Sequence, residues 1–532
     1  MPTLDWIGKK AVINHHRQVP YRLLHCDPDL SAGDPDSGNL LVQGDNLEAL
    51  KALLPYYAGQ VKCIYIDPPY NTGEQGWTYN DHVDSPEMRW WLQKTVGREG
   101  EDLCRHDKWL SMMYPRMALL VQFLREDGFL FVSLDDTEIA RFRLMIEDGI
   151  LSPNRYVATF IWKSRRNLDS RHKQLVSIDH EYVVAYHGGK GRLRGGTKDL
   201  SKYSNPDNDL RGPWMSDNLV GLATKDRRPN LHYDLVNPAN GIVYPCPPKG
   251  WRYSQETMYQ KIAENRILWP SKKTGRPRHK KFFRDLQDEF TGFSSLIQCG
   301  NTNEGTEELT RILGNPEFIF PKPRSLIETL IEQSTDDDDI VFDSFAGTGT
   351  TGHAILSLNK NDRKRRRFVL IEMDASICSN IARKRLCRAM DGYEWESPSG
   401  IRKIDGLGGG FQYCILGNPL FDENGNIAES VSFGDLAAHV FFTETGVPIT
   451  DRNVKSSLLG VHEGKAVYLL FNGIMGDKRP HGGNVLTGKI LSDLAQHDGP
   501  KVIYGEGCRI SPTRLRREGI VFKQVPYEIK VS

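Results

Sequence analysis

The 532-residue sequence predicts an α/β chain, built on a parallel sheet covered on both faces and interrupted by a basic insert. Three observations predict it. Apolar runs such as "NLLVQ", "VKCIYI", "GFLFVSL", "DIVF" and "RRFVLI" alternate with amphipathic segments of helical period, the pattern of strands buried on both faces. A stretch without clear period, residues 190–300, divides that rhythm. The charge is also lopsided: residues 151–300 hold 26 Lys and Arg against 14 Asp and Glu, a net of +12, which leaves −11 elsewhere within a total of +1. A basic middle between acidic flanks points to a polyanionic partner.

Residues 1–38 read as an N-terminal arm closed by the turn-rich "DPDLSAGDPDSGN". The first α/β part, 39–189, opens with "NLLVQGD" as a strand, "NLEALKALLPYY" as an amphipathic helix and "VKCIYID" as a buried strand. "HDKWLSMMYPRMALLVQFLRED" follows as a long helix, "GFLFVSLDD" as a strand, and "YVATFIWKSRRN" and "HEYVVAYHGG" as two more. After the insert at 190–300 the rhythm resumes over 301–390, with "PRSLIETLIEQS" as a helix and "DIVFDSFAGTGTTGHAILSL" as strand, loop and helix. "RRRFVLIEMD" is then a strand and "ASICSNIARKRLCRAM" a helix. Residues 391–532 are β-leaning and Gly-rich and read as a C-terminal module.

Composition, at 39% hydrophobic and 26% charged residues, is that of a globular protein. No apolar run reaches the roughly 18 residues of a membrane span, and "MPTLDWIGKK" lacks the apolar core of a signal peptide. The expected location is therefore the cytoplasm. The nine cysteines form no CxxC pair, so the expectation is free thiols with neither zinc site nor disulfide. The run "DDDD" at 336–339 reads as a charged strand entrance rather than a metal site, and "RKRRR" at 363–367 as a solvated turn.

Two short stretches carry the chemistry. In "DSFAGTGTTGHA" glycines sit between an apolar strand and an apolar helix, where the backbone turns sharply and helix N–H groups are free for a ligand. Gly347, Gly349 and Gly352 have the spacing GxGxxG, and the P-loop lysine is missing, so a nucleoside suits the loop better than a triphosphate. The next strand ends in "IEMD", which puts Glu372 where an acid binds ribose hydroxyls, so a nucleoside-bearing cofactor is expected. In "DPPY", residues 67–70, two prolines stiffen the exit of a strand, at the carboxyl edge where α/β sheets hold ligands. The Asp67 carboxylate and the Pro68 carbonyl can jointly accept both hydrogens of an exocyclic amine, and Tyr70 can stack on a planar base. A rigid strand-ending turn is the competing reading of these residues.

DPPY together with FxGxGT resembles the S-adenosylmethionine-dependent amino-methyltransferases of DNA. Asp67 to Tyr70 precede Phe345 to Thr350, the circularly permuted order of the β group, with a target-recognition segment between. More narrowly, "YIDPPYNTG", "GNTNEGTEELTRILG" and "FIFPKPRSLIETLI" are similar to the modification subunits of type III restriction–modification systems. The resemblance implies a Rossmann-like methyltransferase sheet, S-adenosyl-L-methionine as cofactor, and double-stranded DNA as substrate with the target adenine flipped out for methylation at N6. It also implies a homodimer and a helicase–nuclease restriction subunit as partner, and it requires no metal.

Residue by residue, it assigns Asp67, Pro68, Pro69 and Tyr70 to the target amine. It assigns Asp343, Phe345, Gly347, Gly349, Thr350 and Glu372 to the cofactor. Lys322 and Pro323 of "FPKP" match the segment closing over the methionine end, and Asp45 of "GDNLEAL" matches an acid beside adenosine, with a helix cap as its alternative. Within the insert and before it, "WKSRRN", "RHK", "KDRRPN" and "SKKTGRPRHKK" are read as interleaving basic and aromatic residues, as phosphate-tracking loops do. Arg165, Arg166, Arg227, Arg228, Arg276 and Arg278 are the expected DNA contacts. An RNA or protein amine methyltransferase and a catalytically silent DNA-binding subunit stay open at this point.

Overall fold

The computed structural model describes residues 3–71, 105–168, 176–196, 198–272, 274–286, 291–314, 321–398, 400–422, 426–428, 430–451, 454–474 and 479–526. The basic "RHK" at 171–173 lies outside them. The chain divides into two compact units, one of Met1–Leu193 with Ser294–Ser532, the other of Arg194–Phe293.

The first unit is organised by a ten-stranded sheet. Its strands in chain order are β1 (Arg22–Gly33), β2 (Leu40–Gln43), β3 (Val61–Ile66), β4 (Leu124–Leu134), β5 (Tyr156–Trp162), β6 (Glu181–His187), β7 (Leu296–Ile297), β8 (Ile340–Asp343), β9 (Arg367–Glu372) and β10 (Gly410–Pro419). In space they run β1-β10-β2-β9-β8-β3-β4-β6-β5-β7. The six from β10 to β4 are mutually parallel, and β6 runs antiparallel to both β4 and β5. The α/β expectation holds, and the reason is visible in burial: Leu41, Val42, Val61, Ile64, Ile66, Leu130, Val132, Phe342, Val369 and Ile371 are nearly or wholly inaccessible. A strand covered on both faces needs an apolar side chain at every position, so it reads as an unbroken apolar run.

Chain order and spatial order together fix where a ligand can sit. From β3 the chain crosses through helix Arg105–Phe123 to β4 on one side. From β8 it crosses through helix Thr350–Asp362 to β9 on the other side. Between adjacent β8 and β3 the direction of winding therefore reverses, and loops leaving their carboxyl ends diverge to open a crevice. The register pairs Phe342 with Ile64. Asp343 and Asp67 thus leave neighbouring strands at the same edge.

Three expectations need correction. The arm read over 1–38 supplies β1, antiparallel to β10, with Asp27↔Tyr413 and Cys26↔Cys414 in register. The second pair is disulfide-bonded, against the expectation of free thiols: direct cross-strand pairing brings together two cysteines 388 residues apart in sequence. Third, the stretch after 391 first forms the hairpin Gly392–Ser397/Gly400–Asp405 and then returns as β10 to the main sheet before a separate four-stranded sheet begins. That smaller sheet orders strands Leu458–His462, Lys465–Leu469, Lys501–Gly505 and Ile520–Gln524. Helix Phe433–Thr445 lies close by, and its Glu444 accepts from Lys465 at 2.9 Å, Tyr504 at 2.8 Å and Lys523 at 2.6 Å.

The two charge runs meet each other. Lys364 pairs with Asp336 at 2.9 Å and Arg365 with Asp338 at 2.9 Å, while Asp339 is buried and bonded to Arg125 at 3.0 Å. Arg366 is buried against Asp362 and Thr335. No described helix is long and apolar enough to cross a membrane.

The second unit has its own small core of Leu219, Leu235, Tyr244, Trp251, Met258 and Ile267. Its three-stranded sheet orders Ile267–Leu268, Arg278–Phe282 and Trp214–Asp217. Lys280 is buried there, held by Asp207 and Asp209 at 2.6 Å each and lying 4.9 Å from the Trp214 ring centre.

Candidate functional site

The crevice is built by four segments of the first unit. Strand β3 ends in the proline corner. Helix Arg105–Phe123 braces it: Trp109, fully buried, donates Nε1–H to the Pro69 carbonyl at 2.7 Å. Asn71, at φ 58°, donates to the Arg105 carbonyl at 3.1 Å and to buried Glu138 at 2.5 Å. A left-handed residue directly after Tyr70 turns the chain sharply, and asparagine tolerates that conformation better than most side chains.

Asp67 is half-buried and fully engaged. Lys322 donates to both of its carboxylate oxygens, at 2.9 and 2.8 Å. The same ammonium lies 3.4 Å from Glu181 on β6 and 4.7 Å from the Tyr70 ring centre. Tyr70 in turn donates its hydroxyl to Glu181 at 3.0 Å. Four side chains from three distant segments thus close into one quartet. Burial pulls the Lys322 ammonium toward deprotonation, but Asp67 and Glu181 outweigh it and hold its pKa above the ordinary lysine range. Burial, with both carboxylates adding to it, pushes the Tyr70 phenol well up, so it stays a neutral donor.

The glycine loop follows β8. Asp343 is buried, and its oxygens accept from the Phe345 N–H at 2.9 Å and the Thr351 hydroxyl at 2.5 Å. Burial dominates over those bonds, with Asp67 adding to it, and pushes its pKa up to about 7. Gly347 and Gly349 adopt φ 51° and 73°. At Gly349 a side chain is doubly opposed, since a Cβ would also lie 3.3 Å from the Ala382 backbone. Phe345 is buried beside the loop.

Other predicted residues have defined partners of their own. Glu372 is fully buried, and its two oxygens accept backbone N–H groups of Gly347 at 2.8 Å and Asp374 at 2.9 Å, so it braces the loop. Asp45 caps helix Asn46–Tyr57, accepting from Leu47 and Glu48 N–H at 2.9 and 3.1 Å, and pairs with Arg116 at 2.9 Å. Thr350 turns inward: its hydroxyl and that of Thr348 accept from Arg385 at 2.7 and 3.0 Å. Arg385 is wholly buried and bonded to Glu308 at 2.8 Å. Pro323 precedes helix Arg324–Ser334 as its N-cap. Two buried polar atoms beside the loop have no partner among the described residues, Asn46 Oδ1 and Ser344 Oγ.

Sequence reasoning missed Glu181, Trp109, Glu308 and Arg385. The one available signal was an acid heading the otherwise apolar strand "EYVVAYH". Of the predicted DNA contacts, Arg165 and Arg166 are exposed in the first unit, and Arg227, Arg228, Arg276 and Arg278 are exposed in the second. Arg278 is also bonded to Ser216, through Nη2 to the carbonyl at 3.0 Å. No group of acids, histidines or cysteines with metal-ligand geometry occurs among the described residues.

An acidic proline corner on one strand and a glycine loop on its neighbour thus stand at the same edge of an α/β sheet. The chain belongs to the DNA methylase family, whose match covers residues 61–384. It is 32% identical over 404 residues to the type III restriction-modification enzyme StyLTI Mod subunit of Salmonella typhimurium, covering 72% of this chain and 60% of that protein. It is 28% identical over 423 residues to the EcoP15I Mod subunit of Escherichia coli, covering 70% of this chain and 64% of the relative. The chain thus spans less than two thirds of the length of these relatives. Among solved structures, the PvuII DNA methyltransferase (cytosine-N4-specific) aligns over 65% of this chain and 86% of its own, at 14% identity and a TM-score of 0.34.

Proposed function

We propose that this chain transfers a methyl group from S-adenosyl-L-methionine to adenine N6 in duplex DNA, as the modification subunit of a type III restriction–modification system or a stand-alone relative. The observation that carries the reading is the quartet around Asp67. A nitrogen bearing hydrogens, that of Lys322, already sits between the Asp67 carboxylate and the Tyr70 ring. This is the environment an exocyclic amine needs.

Adenine N6 is a poor nucleophile because its lone pair is delocalised into the ring. Accepting both of its hydrogens, on Asp67 and the Pro68 carbonyl, draws the nitrogen toward tetrahedral geometry and frees the lone pair. Tyr70 stacks on the base, and Trp109 and Glu138 hold the corner rigid so that no reorganisation is needed during reaction. N6 in a stacked pair cannot take this geometry, so the target base leaves the duplex. Aspartate at the head of the corner favours adenine over cytosine.

The residues present fit the cofactor. Gly347 and Gly349 bring bare backbone to the crevice, and Asn46 Oδ1 and Ser344 Oγ offer unpaired polar atoms there. When bound, the cofactor supplies an electrophilic methyl on sulfur. Asp343 and Glu372 serve it by fixing the loop from behind.

The six exposed arginines contribute phosphate contacts, and the enzyme works in a prokaryotic cytoplasm as a homodimer beside a helicase–nuclease subunit. Methyl transfer from tritiated cofactor to genomic DNA, followed by long-read mapping, tests the reading. Methylated adenines at one short motif, absent with Asp67→Ala, are expected. Label in RNA or protein alone, or none despite cofactor binding, would overturn it. A monomer by light scattering at micromolar concentration would remove the dimer.

A further inference from the structure

We propose that Lys322 is a displaceable stand-in for the target amine, and that Glu181 is the positioning residue that receives it when the amine arrives. The inference rests on the reading of Asp67 as the amine holder and adds two roles to it.

Both oxygens of Asp67 are occupied by one ammonium, and the same ammonium lies 4.7 Å from the centre of the Tyr70 ring. A target amine needs one of those same oxygens, so amine and ammonium compete for one place. An ammonium leaving Asp67 in a site this enclosed must find another acceptor, since an unpaired buried charge is costly. Glu181 is the acceptor within reach: its Oε2 is 3.4 Å from Nζ, and the side chain is only 20% exposed.

The backbone around Lys322 favours movement of the side chain alone. Pro321 and Pro323 flank it, and the second holds Lys322 to extended geometry. The segment packs on helix Thr302–Leu313, where a Cβ on Gly305 would clash with the Pro321 carbonyl. Glu181 is likewise fixed at the head of β6 and bonded to Tyr70. With two carboxylates and one ammonium, the site keeps one net negative charge whichever acid holds the lysine. Transfer of the ammonium from one acid to the other therefore leaves the net charge of the site unchanged.

This arrangement predicts a rescue that a merely structural role does not. In Glu181→Gln the lysine loses its charged second acceptor and stays on Asp67. kcat/KM for DNA then falls by about tenfold to a hundredfold, the range for one hydrogen bond to a charged group, while KM for the cofactor and the melting temperature hold. Adding Lys322→Met to that variant removes the competitor, and kcat/KM rises above that of the single variant. A double variant at or below E181Q, or E181Q equal to wild type, would overturn the proposal.

A second arm needs no DNA. Lys322 acetylation by acetic anhydride, read by mass spectrometry, should be about tenfold faster in Asp67→Asn/Glu181→Gln than in wild type, the ratio expected when a charge-assisted bond no longer withholds the lone pair. Equal rates would overturn the proposal. Wild-type protein that labels no DNA but passes the acetylation test would instead refute the methyltransferase reading and leave the Lys322 pairing standing.

Discussion

Asp343 offers the sharpest physical test of the crevice, because its chemistry can be read without substrate. It is 2% exposed, and burial pushes its pKa from 3.8 up to about 7. A carboxyl whose pKa is higher in the folded than in the unfolded chain binds its proton more tightly in the native state. Its contribution to stability is full below about pH 4 and is lost as pH rises through about 7. At about 1.4 kcal/mol per pH unit, the gap between 3.8 and about 7 amounts to about 4 kcal/mol, of which about 3 kcal/mol falls between pH 5 and pH 8. Asp343→Asn is the informative perturbation. The amide oxygen still accepts the Phe345 N–H, and its NH2 can donate to the Thr351 hydroxyl, so the loop keeps both contacts while the titration disappears. Urea unfolding of both proteins at pH 5, 6, 7 and 8, at fixed ionic strength, measures the difference directly. Wild type should fall relative to the variant by about 3 kcal/mol from pH 5 to pH 8. Parallel curves within about 0.5 kcal/mol would refute the argument that burial outweighs the two hydrogen bonds.

Other perturbations separate the parts of the site. Gly349→Ala should cost about 1–2 kcal/mol, since φ 73° and the Ala382 backbone at 3.3 Å both oppose a side chain, and it should weaken cofactor binding by calorimetry. Trp109→Phe, which removes the bond to the Pro69 carbonyl but keeps the packing, should cost about 1 kcal/mol in stability and lower kcat for methyl transfer more than it raises the cofactor KM. Arg385→Met should cost about 3 kcal/mol by urea unfolding, because Glu308 loses one of its two cations and the loop hydroxyls of Thr348 and Thr350 lose their donor.

The elements of the parallel sheet were legible because double burial forces apolar residues at successive positions, as in "CIYI" and "VLI". The corner and the glycine loop were legible because prolines and glycines mark places where backbone conformation is fixed or freed. What stayed hidden were pairings between distant segments. Nothing in "FPKP" says that its lysine meets an aspartate 255 residues away. Nothing in two isolated cysteines says that they face each other across β1 and β10. Helix caps such as Asp45 are local, so the cap reading was available from the sequence. The inward turn of Thr350 was not, because it depends on Arg385 arriving from another helix.

One residue chemistry serves three ends in this crevice, and environment alone sets them apart. Glu372 has both oxygens taken by backbone N–H groups and is sealed from solvent, which makes it a brace. Asp343 bonds two loop donors, yet its burial lifts its pKa to near neutrality, so it holds the loop without committing a full charge. Asp67 alone spends both oxygens on a side-chain ammonium, that of Lys322. On the proposed function, the target amine finds only one of the three acids available to it, the one carried on the strand that ends in two prolines. Selectivity for where the amine binds follows from satisfying the other two carboxylates in advance, and the rigid corner then decides how it is presented.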